Sequence, residues 1–261
     1  QAVRLARNGV KPSDIMTLDA FKNAIRVLMA IGGSTNAVLH LQAIASELRL
    51  DIQPELFNAV SKETPFICDI APSGSAENLM AEFDEAGGIP SLLKELKPLL
   101  ACDVMTVTGG SLAENLKNVA TGDHKIIYPL DKPLAKEGGL IFLKGTLAPK
   151  GALIKKSAVP VKMFEHKGPA RIFPSEEEAC EALMGNKINP GEVVIVRYMG
   201  PKGAPGMRLL QRFLWILAAK GLQDRIAFVT DGRFSGTNKG CAVAHVSPEA
   251  AEGGPLAVVK D

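Results

Sequence analysis

The chain has 261 residues, of which 46% are hydrophobic, and this is enough apolar material for one large domain or two ordinary ones. Thirty basic residues nearly balance 28 acidic ones, and no block of like charges occurs, so neither nucleic acid nor an anionic membrane is indicated as a partner. No apolar run approaches the ~18 residues that a membrane-spanning helix needs. The composition favours a soluble globular protein that acts on a small molecule.

The cysteine pattern argues against a metal site made by this chain alone. Its four cysteines form no Cys-x-x-Cys pair; they are Cys68, Cys102, Cys180 and Cys241. Widely separated thiols favour the reducing cytoplasm, or an organelle in a eukaryote, over a disulfide scaffold. Because the chain starts at Gln1, inside an amphipathic pattern, we expect it to be a segment of a longer polypeptide.

Helices dominate the predicted structure of residues 1–122. Apolar spacing predicts a helix over residues 18–31 behind Thr17, and Ser34 caps a second helix that extends through residue 45. The remaining patterns predict helices over about 75–86, 90–100 and 112–119, a short strand or extended segment over 61–70, and a strand over 103–108. We interpret this region as the remainder of an α/β layered N-terminal domain.

Residues 123–261 show a different pattern, with short β-rich runs at roughly ten-residue spacing. Gly and Pro separate these runs, which cover residues 125–128, 139–143, 152–155, 159–162 and 169–173. Predicted next are a helix from Ser175 to Met184, a strand over 192–198, a Gly/Pro-rich loop over 200–206, a helix over 207–220 and a strand over 226–230. The fold predicted for the whole chain is therefore α/β, with this second part a β-barrel-like domain flanked by helices.

The last predicted strand leads directly into the sequence Asp231-Gly-Arg-Phe-Ser-Gly-Thr237. This pattern places the Ser235 hydroxyl on a sharp turn beside free backbone N–H groups, together with Asp231 and Arg233. A carboxylate, a guanidinium and a hydroxyl on one loop are costly unless they serve a ligand. Ser235 is thus the predicted base or nucleophile, activated by a metal ion, a helix N-terminus or a neighbouring base.

Two other residues are weaker candidates for the functional site, and one other reaction, serine hydrolysis, is disfavoured. Ser34, at a Gly-Gly-Ser helix entrance, offers N–H groups to an anion, although such a residue is more often an ordinary cap. His245 follows the turn by ten residues, but a histidine near a strand end is more often structural than catalytic. A serine hydrolase is disfavoured because Gly232 lies one position too early for the Gly-x-Ser-x-Gly elbow.

These residues resemble a known family. Residues 229–237 and 245–255 closely resemble the C-terminal signature of the dihydroxy-acid dehydratase and phosphogluconate dehydratase family. The resemblance covers essentially the whole chain, through residues 31–41, 86–90, 105–109, 147–151, 168–171 and 200–207. The chain resembles the C-terminal half of such a subunit, and it is closer to the dihydroxy-acid than to the phosphogluconate enzymes.

The resemblance implies a lyase that converts a 2,3-dihydroxy carboxylate into a 2-keto acid in branched-chain amino acid biosynthesis. It implies that an iron–sulfur cluster, 2Fe-2S or 4Fe-4S, acts on the departing hydroxyl, that Mg²⁺ holds the substrate, and that the subunits form a homodimer or a dimer of dimers. Ser235 matches the base of the family, while Thr237, Ser34 and Arg233 are expected to bind the substrate. The cofactor ligands of the family lie mainly in an N-terminal region that precedes the residues matched here, so we expect this segment alone to be inactive.

Two positions depart from the family pattern. Leu209 occupies the position of an expected Glu ligand of Mg²⁺, and Met199 replaces a usual acidic residue; an apolar side chain cannot bind Mg²⁺. We therefore expect no metal ligand within this segment. Two alternatives stay open, namely a sugar-acid dehydratase acting on an aldonate or phosphogluconate, and a non-catalytic homologue without a metal site.

Overall fold

A computed structural model describes residues 1–71, 78–234 and 239–261. The chain divides into two compact units, of which the first comprises residues 1–33, 37–71 and 78–139. The described residues of the second unit are 34–36, 140–234 and 239–261. The domain boundary proposed from the sequence, after residue 122, remains a prediction.

Before residue 140, the regular elements of the described residues are helices. They are α1 (Ala2–Arg7), α2 (Pro12–Ile15), α3 (Leu18–Ala30), α4 (Asn36–Glu47), α5 (Pro54–Glu63), α6 (Met80–Glu85), α7 (Gly88–Glu95) and α8 (Leu112–Asn115). The helix predicted behind Thr17 is confirmed, and the Thr17 hydroxyl accepts a hydrogen bond from the Ala20 N–H at 3.3 Å. The segment 61–70 was expected to be a short strand or extended; it begins with the end of α5, and Phe66 and Ile70 then form isolated bridges. The strand predicted over 103–108 is wrong, because in the described part of the chain Met105 forms only an isolated bridge with Ser111.

The second unit is built on a six-stranded sheet. Its strands are β1 (Ile141–Gly145), β2 (Ala148–Ile154), β3 (Ala170–Phe173), β4 (Val193–Val196), β5 (Ala227–Thr230) and β6 (Ala242–Ser247). The strand order is β1-β2-β6-β5-β4-β3, with β3 to β6 parallel and β2 antiparallel to both β1 and β6. The helices α9 (Glu176–Met184) and α10 (Arg212–Ala219) connect β3 to β4 and β4 to β5.

The α/β class and the flanking helices are confirmed, but the barrel-like closure is not. In the described part of the chain β1 pairs only with β2 and β3 only with β4, so the sheet is open. Parallel neighbours require a crossover connection, and the alternation β3-α9-β4-α10-β5 supplies one at each step. The β-runs predicted at 125–128 and 159–162 are also wrong, since they form a turn and part of a 3-10 helix.

A cluster of aromatic side chains joins the sheet to its helices. The ring of Phe213 in α10 stacks on that of Phe228 in β5, with centroids 4.5 Å apart, and Phe228 lies 5.4 Å from Phe234. All three rings are buried, and burying a ring of this size contributes roughly 1.5–3 kcal/mol. Phe234 therefore anchors the segment that follows β5 into the core of the second unit. In the described residues of both units, no helix combines the length and apolar character that crossing a membrane requires.

Candidate active site

The polypeptide turns sharply where β5 ends. The Thr230 hydroxyl accepts a hydrogen bond from the Gly232 N–H at 3.0 Å, which fixes the start of the turn. A Cβ atom on Gly232 would lie 2.5 Å from Cδ1 of Leu210 and 2.8 Å from Cβ of Met199. The glycine is needed here because neighbouring segments approach its Cα closely.

Asp231 connects the turn to two other segments of the second unit. Its carboxylate is 1% exposed and accepts backbone hydrogen bonds from Tyr198 at 3.1 Å, Met199 at 2.9 Å and Ala250 at 2.8 Å. Backbone donors that meet a carboxylate form charge-assisted bonds, which are stronger than neutral ones. Asp231 thus holds the residues after β4 and after β6 against the turn.

Glu249 plays a similar role for the Gly/Pro-rich loop over residues 200–206. Its buried carboxylate accepts hydrogen bonds from the backbone N–H groups of Lys202 and Gly203, both at 2.9 Å. The loop wraps around this carboxylate so closely that a Cβ atom on Gly200 would lie 2.4 Å from its Oε2. Glu249 therefore determines the conformation of the loop that precedes Met207.

Arg233 links the turn to the end of that loop. Its Nε donates to the carbonyl oxygen of Met207 at 2.6 Å, and its own carbonyl accepts from the Leu210 N–H at 2.9 Å. Leu209 pairs with Arg233 in a parallel bridge, and the Leu209 side chain is 40% exposed. Met199, by contrast, packs in the hydrophobic core of the sheet and helices. Of the two departures from the family pattern, only Leu209 lies exposed beside the turn.

His245 in β6 bonds to the backbone of Gly232. Its N–H donates to the Gly232 carbonyl at 2.9 Å, and its φ of 54° lies in the left-handed region, which is unusual for a histidine in a strand. Burial, together with the nearby charge of Arg233, lowers the pKa of His245 from 6.5 to about 4, so its imidazole is neutral at pH 7. Its Nε2 is buried and has no hydrogen-bond partner among the described residues.

The Gly-Gly-Ser entrance of α4 contributes a residue that sequence reasoning missed. Thr35, grouped with the second unit, is buried and donates its hydroxyl to the Phe234 carbonyl at 3.3 Å. The neighbouring Ser34 hydroxyl accepts a hydrogen bond at 3.2 Å from the N–H of Asn36, the first residue of α4, which is a local i to i+2 contact at the helix entrance. The only sequence signal for Thr35 was its place between the predicted cap and the helix.

The structure describes only some of the predicted site residues. Asp231 and Arg233 lie on the turn with His245 beside them, whereas Ser235 and Thr237 lie outside the described residues. Across residues 1–71, 78–234 and 239–261, no group of three or more His, Cys, Asp or Glu side chains is arranged to hold a metal ion. The residues described here therefore do not fit Mg²⁺ or an iron–sulfur cluster by themselves.

Comparison with protein families places the fold and the turn in a known group. The model of the dihydroxy-acid/6-phosphogluconate dehydratase N-terminal domain matches residues 1–115, and that of the C-terminal domain matches residues 125–261. The chain belongs to the dihydroxy-acid/6-phosphogluconate dehydratase family.

Relatives named dihydroxy-acid dehydratase match nearly every residue of the chain. The proteins from Halothermothrix orenii and Ignicoccus hospitalis are 48% and 49% identical to it over 100% and 99% of its length. The protein from Caldicellulosiruptor saccharolyticus is 47% identical over 99% of the chain. In each case the match covers 47% of the relative, so the chain spans about half the length of these proteins.

Proposed function

We propose that this chain is part of a dehydratase that converts a 2,3-dihydroxy carboxylate into a 2-keto acid. The observation that carries the proposal is the similarity along the whole chain to proteins named dihydroxy-acid dehydratase. The turn supports it, because three backbone donors and a buried carboxylate hold it in place, and the Arg233 guanidinium beside it provides a positive charge for an acidic ligand. Methyl-branched dihydroxy acids of branched-chain amino acid biosynthesis are the proposed substrates.

In the proposed reaction Ser235 accepts the proton from C2 of the substrate. Hydroxide leaves C3, and together with that proton it accounts for one water molecule. The enol that remains becomes the 2-keto acid when its hydroxyl proton is lost and C3 is protonated. Thr237, Ser34 and Arg233 are proposed to bind the substrate, and Arg233 suits its carboxylate because a guanidinium offers several donors in one plane.

The cofactors remain part of the proposal. Since the described residues of this chain do not form a metal site, the ligands of the iron–sulfur cluster and of Mg²⁺ are proposed to belong to the part of the relatives that the chain does not span. An assembly of two subunits, or of two such pairs, is proposed on the family resemblance alone.

A second candidate within the family is a dehydratase of sugar acids. The matched family models describe dihydroxy-acid and 6-phosphogluconate dehydratases together, which keeps this alternative in place. A non-catalytic homologue is the third candidate, and the exposed apolar side chain of Leu209 beside Arg233 favours it.

The test is an assay of the complete protein, purified without oxygen and supplied with 2,3-dihydroxy-3-methylbutanoate or with 6-phosphogluconate. We expect release of the 2-keto acid from the first compound, and a loss of at least about 100-fold in kcat for Ser235→Ala, as is typical when a general base is removed. Turnover of 6-phosphogluconate alone would favour the sugar-acid alternative. Absence of turnover, iron and Mg²⁺ would favour the non-catalytic homologue.

A further inference from the structure

Three of the polar side chains described at and around the turn are satisfied within the protein. Asp231 and Glu249 accept backbone hydrogen bonds with both of their oxygens, and the Thr230 hydroxyl accepts one from Gly232. His245, whose N–H bonds to the Gly232 carbonyl of the turn, differs from them: its Nε2 is buried without a partner in the described part of the chain. A buried polar atom without a hydrogen bond destabilises a protein by about 1–3 kcal/mol, so such an atom requires an explanation.

The backbone of His245 is also unusual. A left-handed φ in a residue other than glycine costs of order 1–3 kcal/mol and persists where the surrounding structure enforces it. Here the enforcing contact is the hydrogen bond from the His245 N–H to the Gly232 carbonyl. The strained residue and the unpartnered atom are therefore the same histidine, attached directly to the turn that precedes Ser235.

Charge limits what this histidine can bind. Burial, and to a smaller extent the Arg233 charge, disfavour the imidazolium, so the imidazole forms hydrogen bonds without adding a second positive charge. Nε of Arg233 is already bonded to the Met207 carbonyl, which fixes the guanidinium beside the turn. One cation and one uncharged hydrogen-bonding ring suit a small hydroxy carboxylate, which carries a single negative charge and several hydroxyl oxygens.

We propose that His245 is a substrate-binding residue whose Nε2 forms a hydrogen bond with an oxygen of the dihydroxy acid, next to Arg233. The assignment rests on the proposed dehydratase function and names a residue that the function itself does not require. The competing explanation is a buried water molecule bound to Nε2, which would serve the fold and not the ligand.

The experiment compares His245→Leu and His245→Gln in the complete protein. Neither replacement favours a left-handed φ, but only glutamine keeps a hydrogen-bonding group near the position of Nε2. A matched control is His166→Leu, because Nε2 of His166 is likewise buried without a described partner but lines an apolar cavity of about 380 Å³. For each protein the Kd of 2,3-dihydroxy-3-methylbutanoate is measured by calorimetry, together with KM, kcat and the thermal midpoint.

We expect His245→Leu to weaken binding by at least about 10-fold and to raise KM more than it lowers kcat, as loss of a hydrogen bond to a charged ligand does. His245→Gln should stay within about threefold of the wild type, and His166→Leu should bind as the wild type does. Wild-type binding by His245→Leu, or equal losses in both His245 variants, would overturn the assignment in favour of a water-bound or structural histidine. If the wild type neither binds nor converts the acid, the proposed function fails and His245 falls with it; if it does both, only the role of His245 is at stake.

Discussion

The carboxylates that hold the turn differ from the side chains of Arg233, Leu209 and His245 in their hydrogen bonds and exposure. Asp231 and Glu249 accept five backbone hydrogen bonds between them. Arg233 uses Nε for a single carbonyl, Leu209 exposes 40% of its surface, and His245 keeps Nε2 without a described partner. The difference indicates two kinds of residue at and around this turn: Asp231 and Glu249 hold neighbouring backbone segments in place, whereas Arg233, Leu209 and His245 are the ones for which we propose a role towards a ligand.

The largest effect is expected from Asp231→Ala, which tests whether this carboxylate holds the fold together. Removing the carboxylate leaves three buried N–H groups without acceptors, so the free energy of unfolding should fall by roughly 3–5 kcal/mol. Urea denaturation of the complete protein measures this change. The control is Asp224→Ala, whose carboxylate forms a surface ion pair with Lys162, and for it we expect no measurable change. Equal midpoints for the two variants would contradict a structural role for Asp231.

A smaller effect concerns the pH dependence of stability. Because the folded-state pKa of His245 is lowered to about 4, the unfolded chain binds a proton between pH 6.5 and pH 4 that the folded protein does not. This contribution to stability is present above pH 6.5 and is lost as the pH falls towards 4. The wild type should therefore lose about 2 kcal/mol more than His245→Gln between pH 7.5 and pH 5.

Urea midpoints of both proteins at the two pH values give the comparison. His124→Gln, at an exposed histidine, serves as the control and should follow the wild type. A parallel loss of stability in the wild type and in His245→Gln would show that the imidazole is not held neutral in the folded protein.

The smallest effect is expected from Leu209→Glu. This variant tests whether position 209 takes part in binding a ligand or metal ion. The side chain is exposed, so the change in stability should stay within about 0.5 kcal/mol. If the metal site is completed by other residues and only weakened here, activity of the complete protein at limiting Mg²⁺ should rise several-fold, because a carboxylate is a good Mg²⁺ ligand. An unchanged Mg²⁺ dependence would show that position 209 does not affect Mg²⁺ binding.

Local signals predicted a large part of the fold. Thr17 and Ser175, where the predicted helices begin, lie at the N-terminal ends of α3 and α9, and the apolar run that ends in Asp-Gly corresponds to β5 and the turn. The open sheet was not predicted, because strand order depends on which strands pair across long sequence separations. The alternation of strands and helices between residues 169 and 230 indicates parallel pairing, whereas the ten-residue spacing of the β-rich runs favours a barrel with flanking helices.

The candidate site was predictable only in part for the same reason. Asp231 and Arg233 were selected because they share a short loop, but the sequence could not distinguish a structural carboxylate from one that binds a ligand. That distinction depends on backbone donors from Tyr198, Met199 and Ala250, which belong to other segments. Thr35 contacts the Phe234 carbonyl from 199 positions away, and no local pattern indicates such a contact.

A crystal structure of the complete protein with 2,3-dihydroxy-3-methylbutanoate bound is the most direct test of the division between structural and ligand-binding groups. We predict that Nε2 of His245 lies about 2.7–3.2 Å from an oxygen of the acid, and that Asp231 keeps its three backbone donors. A structure in which the acid binds elsewhere, while Nε2 contacts only water or protein, would contradict that division.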